Sequence, residues 1–206
     1  FMKAVYIAKS GRPGPVVLDI PYNVQHAEIN PDELREFQGP VDAAVVSDRQ
    51  ISEYCQVIND DLNKAHRPLI LLGGGVRLAG QVNNIRKLVD RLKIPVVTTW
   101  AAADILEFGD DLYLGNAGRG GNRSAINAIQ ECDFLLGFGT RFTPKTIIDD
   151  RVFAKQATIA AIDIDAGELN DGLINIDHKI NCDLGQFVPA LIDFFEEVRY
   201  PGINSE

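Results

Sequence analysis

The stretch Arg67-Pro-Leu-Ile-Leu-Leu-Gly-Gly-Gly75 decides the fold. Residues 68–72 are apolar without alternation, which suits a strand covered on both faces rather than one with a wet side. The three glycines end it. Upstream, a helix is expected from Asp48, read as its cap, to about Ala65. Ile51, Tyr54, Cys55, Ile58 and Leu62 recur on one of its faces at helical spacing. Downstream, Leu78 to Leu92 reads as helical, with Val82, Ile85, Leu88, Val89 and Leu92 as the buried stripe. Further strands are expected at Pro95-Val-Val-Thr-Thr99, Asp133-Phe-Leu-Leu-Gly-Phe138, Ala157 to Ile164 and His178 to Cys182. Helices are expected from Asn122 to Glu131 and from Gly185 to Val198. Apolar strands alternating with helices specify an α/β fold, a parallel sheet with helices on both faces.

The first forty-odd residues lack this regularity. Met2 to Lys9 reads as the end of a helix, and Ser10-Gly-Arg-Pro-Gly-Pro15 as a turn, since its glycines and prolines cannot continue a helix. Val16-Val-Leu-Asp-Ile20 reads as a short strand of the buried type, stopped by Pro21. Tyr22 to Asp48 is polar, carries Pro31 and Pro40, and has linker chemistry. One strand and a helix end make no sheet, and the chain opens Phe1-Met2. This part is therefore expected to be the close of a preceding domain, and the chain to be a fragment.

Composition narrows the function. Apolar residues make up 46% and charged residues 24%, the proportions of a folded globular chain rather than a disordered one. The net charge of −9 repels phosphate backbones, so nucleic acid is not an expected partner. No apolar run reaches the roughly 18–20 residues of a membrane span, so no membrane partner is expected either. Cys55, Cys132 and Cys182 are far apart, odd in number and without a CxxC pair, which fits a reducing cytoplasm and small buried side chains. His26, His66 and His178 have no partner at metal-ligand spacing, so no metal site is expected in this chain.

Open parallel sheets bind ligands outside the carboxyl ends of their strands, so the residues after each strand are the candidates. Gly73, Gly74 and Gly75 suit either a phosphate loop or a tight turn. Thr98, Thr99 and Trp100 follow the second strand, and their hydroxyls suit a ligand or a helix cap. Gly115-Asn-Ala-Gly-Arg-Gly-Gly-Asn-Arg123 combines four glycines with two arginines, a flexible backbone with guanidinium groups suited to an anion such as pyrophosphate. Its central candidates are Gly118 and Arg119. Gly139 and Arg141 repeat the theme. Asp163 and Asp165 stand where a carboxylate reaches a ribose, or where Asp165 caps a turn; Asp183 is either a ligand group or the cap of the last helix. Nothing here pairs an acid with a base or a nucleophile with a base, so no catalytic residue is expected in this chain.

Ordered along the chain, five segments resemble the thiamine-diphosphate enzymes of the acetolactate synthase (acetohydroxyacid synthase) family. Gly11-Arg-Pro-Gly-Pro-Val-Val-Leu-Asp-Ile-Pro21 is similar to the close of their pyrimidine-binding domain. Arg67 to Gly75, Ile94 to Thr99, Ala128 to Arg141 and Ile162-Asp-Ile-Asp165 are similar to their central domain. The resemblance implies a Rossmann-like, six-stranded parallel sheet of the DHS nucleotide-binding type. It implies residues 1–24 as the end of a pyrimidine-binding domain, 25–47 as linker, 48–199 as the central domain and 200–206 as a tail. It implies thiamine diphosphate and magnesium at sites outside this chain, and decarboxylation of pyruvate with ligation to a second 2-oxo acid by the whole enzyme. FAD in the central domain would sit at Gly73, Gly74, Gly75, Thr99, Trp100, Gly139 and Arg141, with Asp163, Ile164 and Asp183 toward the adenosine and Arg12 from the GRPGPV turn. The implied partners are the other domains of the same polypeptide and further copies in a homo-oligomer. Two motifs depart from the pattern: the family's GMHG is Gly115-Asn-Ala-Gly118, and its RFDDR is Arg141-Phe-Thr-Pro-Lys145. The alternatives on the same scaffold are another 2-oxo acid decarboxylase and a non-catalytic ADP-binding or interface module.

Overall fold

A computed structural model describes residues 1–39, 46–170, 172–200 and 202. The chain divides into two compact units, Phe1–Val45 and Val46–Glu206. The expected linker residues 40–45 and tail residues 201 and 203–206 lie outside the described residues.

The first unit carries helix α1 (Met2–Lys9), a single-turn helix α2 (Tyr22–Gln25) and a 3₁₀ turn at Pro31–Glu33. Tyr6 packs its ring on Phe37 with centroids 5.5 Å apart. The strand expected at residues 16–20 does not form. Those residues are unpaired, with Val17 89% exposed and Ile20 51% exposed. A strand exists only as part of a ladder, and no neighbouring strand is described in this unit to supply its hydrogen bonds.

The second unit is a six-stranded, all-parallel sheet in the order β3-β2-β1-β4-β5-β6. The strands are β1 (Pro68–Leu72), β2 (Val96–Thr98), β3 (Tyr113–Asn116), β4 (Phe134–Phe138), β5 (Thr158–Asp163) and β6 (His178–Asn181). The longer helices are α3 (Asp48–Lys64), α5 (Val82–Leu92), α6 (Arg123–Glu131) and α9 (Leu184–Glu197); α4 (Gly75–Leu78), α7 (Pro144–Ile147) and α8 (Ala166–Asn170) are single turns. Side chains of a strand alternate between faces, and here both faces are covered. Ile70, Leu72, Val96, Leu136, Phe138 and Ile162 pack with α3, α5 and α9. Leu69, Leu71, Val97, Leu135, Ile159 and Ala161 pack with α6 and α7. That is why the central strands read as continuous apolar runs.

Three local expectations are corrected. Ser47, not Asp48, caps α3, its hydroxyl accepting from the Gln50 N–H at 3.4 Å. The single helix expected from Leu78 to Leu92 is broken, with Gly80 at φ +68° between α4 and α5 and Leu78 left 61% exposed. Glycine adopts that left-handed backbone without the strain a Cβ brings. The sixth strand, β3, takes Gly115 and Asn116 out of the expected glycine loop. It is a short edge strand, only half buried, so its residues show neither an apolar run nor alternation.

Candidate functional site

The carboxyl ends of the strands form one edge, and chain order reverses between β1 and β4: β2 and β3 continue to one side of β1, and β4 returns to its other side. Ligands of open α/β sheets bind at such a switch point. Here the two loops interlock. A Cβ on Gly73 would stand 2.1 Å from the Gly139 carbonyl oxygen, and one on Gly75 2.7 Å from the Gly139 Cα. Gly73 donates its N–H to Phe138 and Gly75 its N–H to Gly139, each at 2.9 Å, while Gly139 (φ +54°) donates to Ile162 at 2.9 Å. These glycines permit a backbone-to-backbone approach, and their amides are already engaged. Gly74 packs beside the Ala101 side chain.

After β2, Thr98 is fully buried and faces its own network. Its hydroxyl donates to Asn116 Oδ1 at 2.7 Å, and the Tyr113 hydroxyl donates to the same oxygen at 2.9 Å. Thr99 precedes the 3₁₀ turn Trp100–Ala102 without capping it through its side chain. Trp100 is 69% exposed on the edge, its ring beside Gly120.

The loop after β3 is a tight coil. Gly118 sits at φ +90°, and a Cβ there would stand 2.3 Å from the Lys145 carbonyl oxygen. The Arg119 N–H donates to that same oxygen at 2.9 Å. Arg119, in the loop after β3, is thus a neighbour of Lys145 in α7. Both side chains are exposed, and neither has an ion-pair partner among the described residues. Asn122 closes the coil, its Oδ1 accepting from the Asn116 N–H at 2.8 Å.

At the other end of the edge the charge reverses. Asp163, 8% exposed, accepts the Asp165 N–H at 2.9 Å; Asp165 accepts from Gly167 at 2.9 Å and so caps α8. Ile164 is 36% exposed, and its carbonyl accepts from Asn181 Nδ2 at 2.9 Å. Asp183 caps α9, accepting the Gly185 N–H at 2.6 Å. Arg141 is paired: its Nε lies 2.7 Å from Glu168 Oε1 on α8. Arg12 belongs to the first unit, in the turn after α1. Gly73–Gly75, Trp100, Gly118, Arg119, Gly139, Arg141, Asp163, Ile164 and Asp183 thus all lie at or after the carboxyl ends of strands of one sheet. Sequence reading missed Glu168, whose partner is 27 positions away, and Thr140, which is 4% exposed with its hydroxyl unpartnered among the described residues.

Burial pushes the Cys55 and Cys182 thiols up to about 11 and the Cys132 thiol to about 12, reinforced by Cys182 beside Cys55, Asp133 beside Cys132 and Asp183 beside Cys182, which disfavours the nucleophilic thiolate. Beside Gly118, α6 and α7 border an apolar cleft of about 250 Å³ lined by Ile126, Ile129, Ile147 and Phe153. Asp149 at its rim is held at about 2 by hydrogen bonds from Arg151. Among the described residues no group of three His, Cys, Asp or Glu side chains could hold a metal ion, and no helix is long and apolar enough to cross a membrane.

Comparison with known proteins decides the family. The model for the thiamine pyrophosphate enzyme central domain matches residues 55–191. The chain belongs to that family. The acetolactate synthase large subunit of Lactococcus lactis is 34% identical over 92% of this chain and 32% of its own length. The probable acetolactate synthase large subunit of Methanocaldococcus jannaschii is 36% identical over 82% of this chain and 29% of its own. The isozyme 2 large subunit of Escherichia coli is 33% identical over 92% of this chain and 33% of its own. The chain therefore spans about a third of the length of the curated relatives it matches. Its six-stranded parallel sheet is the α/β fold of this central domain.

Proposed function

We propose that this chain is the central, nucleotide-binding scaffold domain of an acetolactate synthase-like enzyme, with residues 48–199 as that domain, 1–24 as the close of a pyrimidine-binding domain, 25–47 as linker and 200–206 as tail. The whole polypeptide decarboxylates pyruvate and joins the product to a second 2-oxo acid, as a homo-oligomer in the cytoplasm. Thiamine diphosphate with magnesium, held outside this chain, supplies the carbanion chemistry. This chain's residues supply no acid, base or nucleophile; they bind and orient.

The observation that carries the nucleotide part is the charge segregation along the carboxyl edge. Arg119, after β3, is joined to Lys145 of α7 by a backbone hydrogen bond, and neither has an ion-pair partner among the described residues, while Asp163, Asp165 and Asp183 lie at the ends of β5 and β6. That order suits a nucleotide laid along the edge, phosphates toward Arg119 and Lys145 and ribose toward Asp163. The buried Thr140 hydroxyl, without a hydrogen-bond partner among the described residues, adds a polar group to that edge. An adenine nucleotide, ADP or the adenosine diphosphate half of FAD, fits this donor set. The committed amides of Gly73 and Gly75 leave the phosphates to side chains rather than to a glycine cradle.

The test is equilibrium dialysis of the chain against ADP and FAD, with Arg119→Gln alongside. Loss of one charge-assisted contact weakens binding by about tenfold. Unchanged affinity in that variant sinks the phosphate assignment. The activity is tested in the full-length enzyme with thiamine diphosphate and magnesium: acetolactate from pyruvate is expected, and its absence overturns the assignment in favour of a different 2-oxo acid.

A further inference from the structure

Apolar side chains at a protein surface are usually scattered singly, and a group of them around a concavity marks a place where something binds. The cleft between α6 and α7 is such a place. Its floor is Ile129, Ile147 and Phe153, each at most 5% exposed and part of the core on that face of the sheet. Phe142 braces Phe153 edge-on, with ring centroids 6.2 Å apart. The floor is therefore preformed. The lip is Ile148, 52% exposed, and Val152, 43% exposed.

The backbone at the lip is strained. Ile148 sits at φ +60° and ψ −59°, and the Asp149 N–H donates across it to the Ile147 carbonyl at 2.7 Å. That is the rare hand of γ-turn, costly for a β-branched residue and relaxed for glycine. Strain of this kind collects at ligand sites. Here it keeps a bulky apolar side chain at the mouth of the cleft.

The mouth also offers positive charge. Gly118 and Thr146 line the cleft, and Arg119 and Lys145 are their neighbours in the chain. The hydrogen bond from the Arg119 N–H to the Lys145 carbonyl holds these two segments together. Both cations are exposed, and neither has an ion-pair partner among the described residues. Asp149, the acidic residue of the lining, is already matched: Arg151 donates to both its oxygens, at 2.9 and 2.8 Å. Size is set by volume. The cleft measures about 250 Å³. A dry cavity of about 150 Å³ holds one benzene ring, so this one has room for an aliphatic chain of about six carbons.

We infer that the cleft is a binding site for a small organic acid with an apolar tail. The tail fills the space over Ile129, Ile147 and Phe153, and the carboxylate meets Arg119 and Lys145. This site goes beyond the nucleotide reading, because such an acid uses neither a ribose contact nor Asp163.

The experiment is an NMR titration of the 206-residue chain with butanoate, hexanoate and 1-hexanol. Each methylene buried in the cleft is worth about fourfold, so hexanoate is expected to bind about 15-fold more tightly than butanoate. The alcohol lacks the charge and is expected to bind about tenfold more weakly than hexanoate. Arg119→Gln and Lys145→Gln are each expected to weaken hexanoate by about three- to tenfold and to leave 1-hexanol unchanged, a split that a merely structural role does not produce. Ile148→Asp sets a carboxylate at the lip and is expected to abolish hexanoate binding. Aspartate tolerates positive φ better than isoleucine, so the melting temperature of that variant is expected to hold or rise. Hexanoate binding no tighter than butanoate, or no binding of either, overturns the inference. Equal loss of hexanoate and 1-hexanol in both cation variants also overturns it. A wild-type dimer on gel filtration that Ile148→Asp dissociates makes the cleft a contact between copies and overturns it as well. Hexanoate binding by a chain that binds no ADP supports this inference and sinks only the nucleotide reading.

Discussion

Two five-residue runs in this chain look alike and end differently. Val16-Val-Leu-Asp-Ile20 and Pro68-Leu-Ile-Leu-Leu72 are both short, apolar and bounded by turn residues. The second is the middle of a sheet, with Leu71 and Leu72 fully buried and ladders to β2 on one side and β4 on the other. The first is extended but unpaired, and Val17 is 89% exposed. The difference lies in what surrounds each run. A strand is a two-sided contract for backbone hydrogen bonds and a two-faced contract for burial, and a run without neighbours fulfils neither.

Three measurements break or sharpen this contrast. The largest effect is expected in the sheet. Phe138 ends β4 and is completely buried, so Phe138→Ala lowers unfolding stability by about 3–5 kcal/mol. A urea midpoint that barely moves shows that the sheet is not the seat of stability. An intermediate effect comes from pH. Cys55 and Cys182 are pushed to about 11 and Cys132 to about 12, against 9.0 for an ordinary thiol. The unfolded thiols ionise first as pH rises, while the folded ones hold their protons. Their stabilising contribution is therefore complete below pH 9 and is lost as pH climbs from there toward 11–12. The denaturation midpoint should decline over that window, and native thiols should resist alkylation at pH 8; rapid native labelling contradicts their burial. The smallest effect is expected at the unpaired run, where Val17→Ser changes stability by less than about 0.5 kcal/mol. A cost above 2 kcal/mol there means that Val17 is covered in the protein as it works.

Much of the second unit was legible because its signals are local and repeated. The buried stripe of α5 at Val82, Ile85, Leu88, Val89 and Leu92 and the apolar runs of β1 and β4 each declare a periodicity. The edge strand β3 was not legible, since Tyr113-Leu-Gly-Asn116 is half buried and ends in the residues of a glycine loop. At the strand ends, the sequence located the loops but not what engages their groups. Gly73 and Gly139 read as ligand glycines or turn glycines. The structure shows the Gly73 amide spent on Phe138 and the Gly139 amide on Ile162, with the Gly73 and Gly139 backbones in close approach across 66 positions, a contact that no local pattern encodes. The Arg141–Glu168 pair is hidden for the same reason.

The sequence by itself determined the class of fold, the number of apolar strands at its centre, the family through its ordered motifs, and which residues follow each strand. These follow from periodicity and residue chemistry, which are properties of neighbours along the chain. Only the tertiary structure decided the strand order that places β4 against β1, the failure of residues 16–20 to pair, and the sorting of strand-end groups into engaged amides, a paired Arg141 and an Arg119 with no ion-pair partner among the described residues. Those outcomes depend on which distant groups meet. A hydrogen bond or an ion pair acts over about 3 Å of space, however many residues of chain lie between its partners.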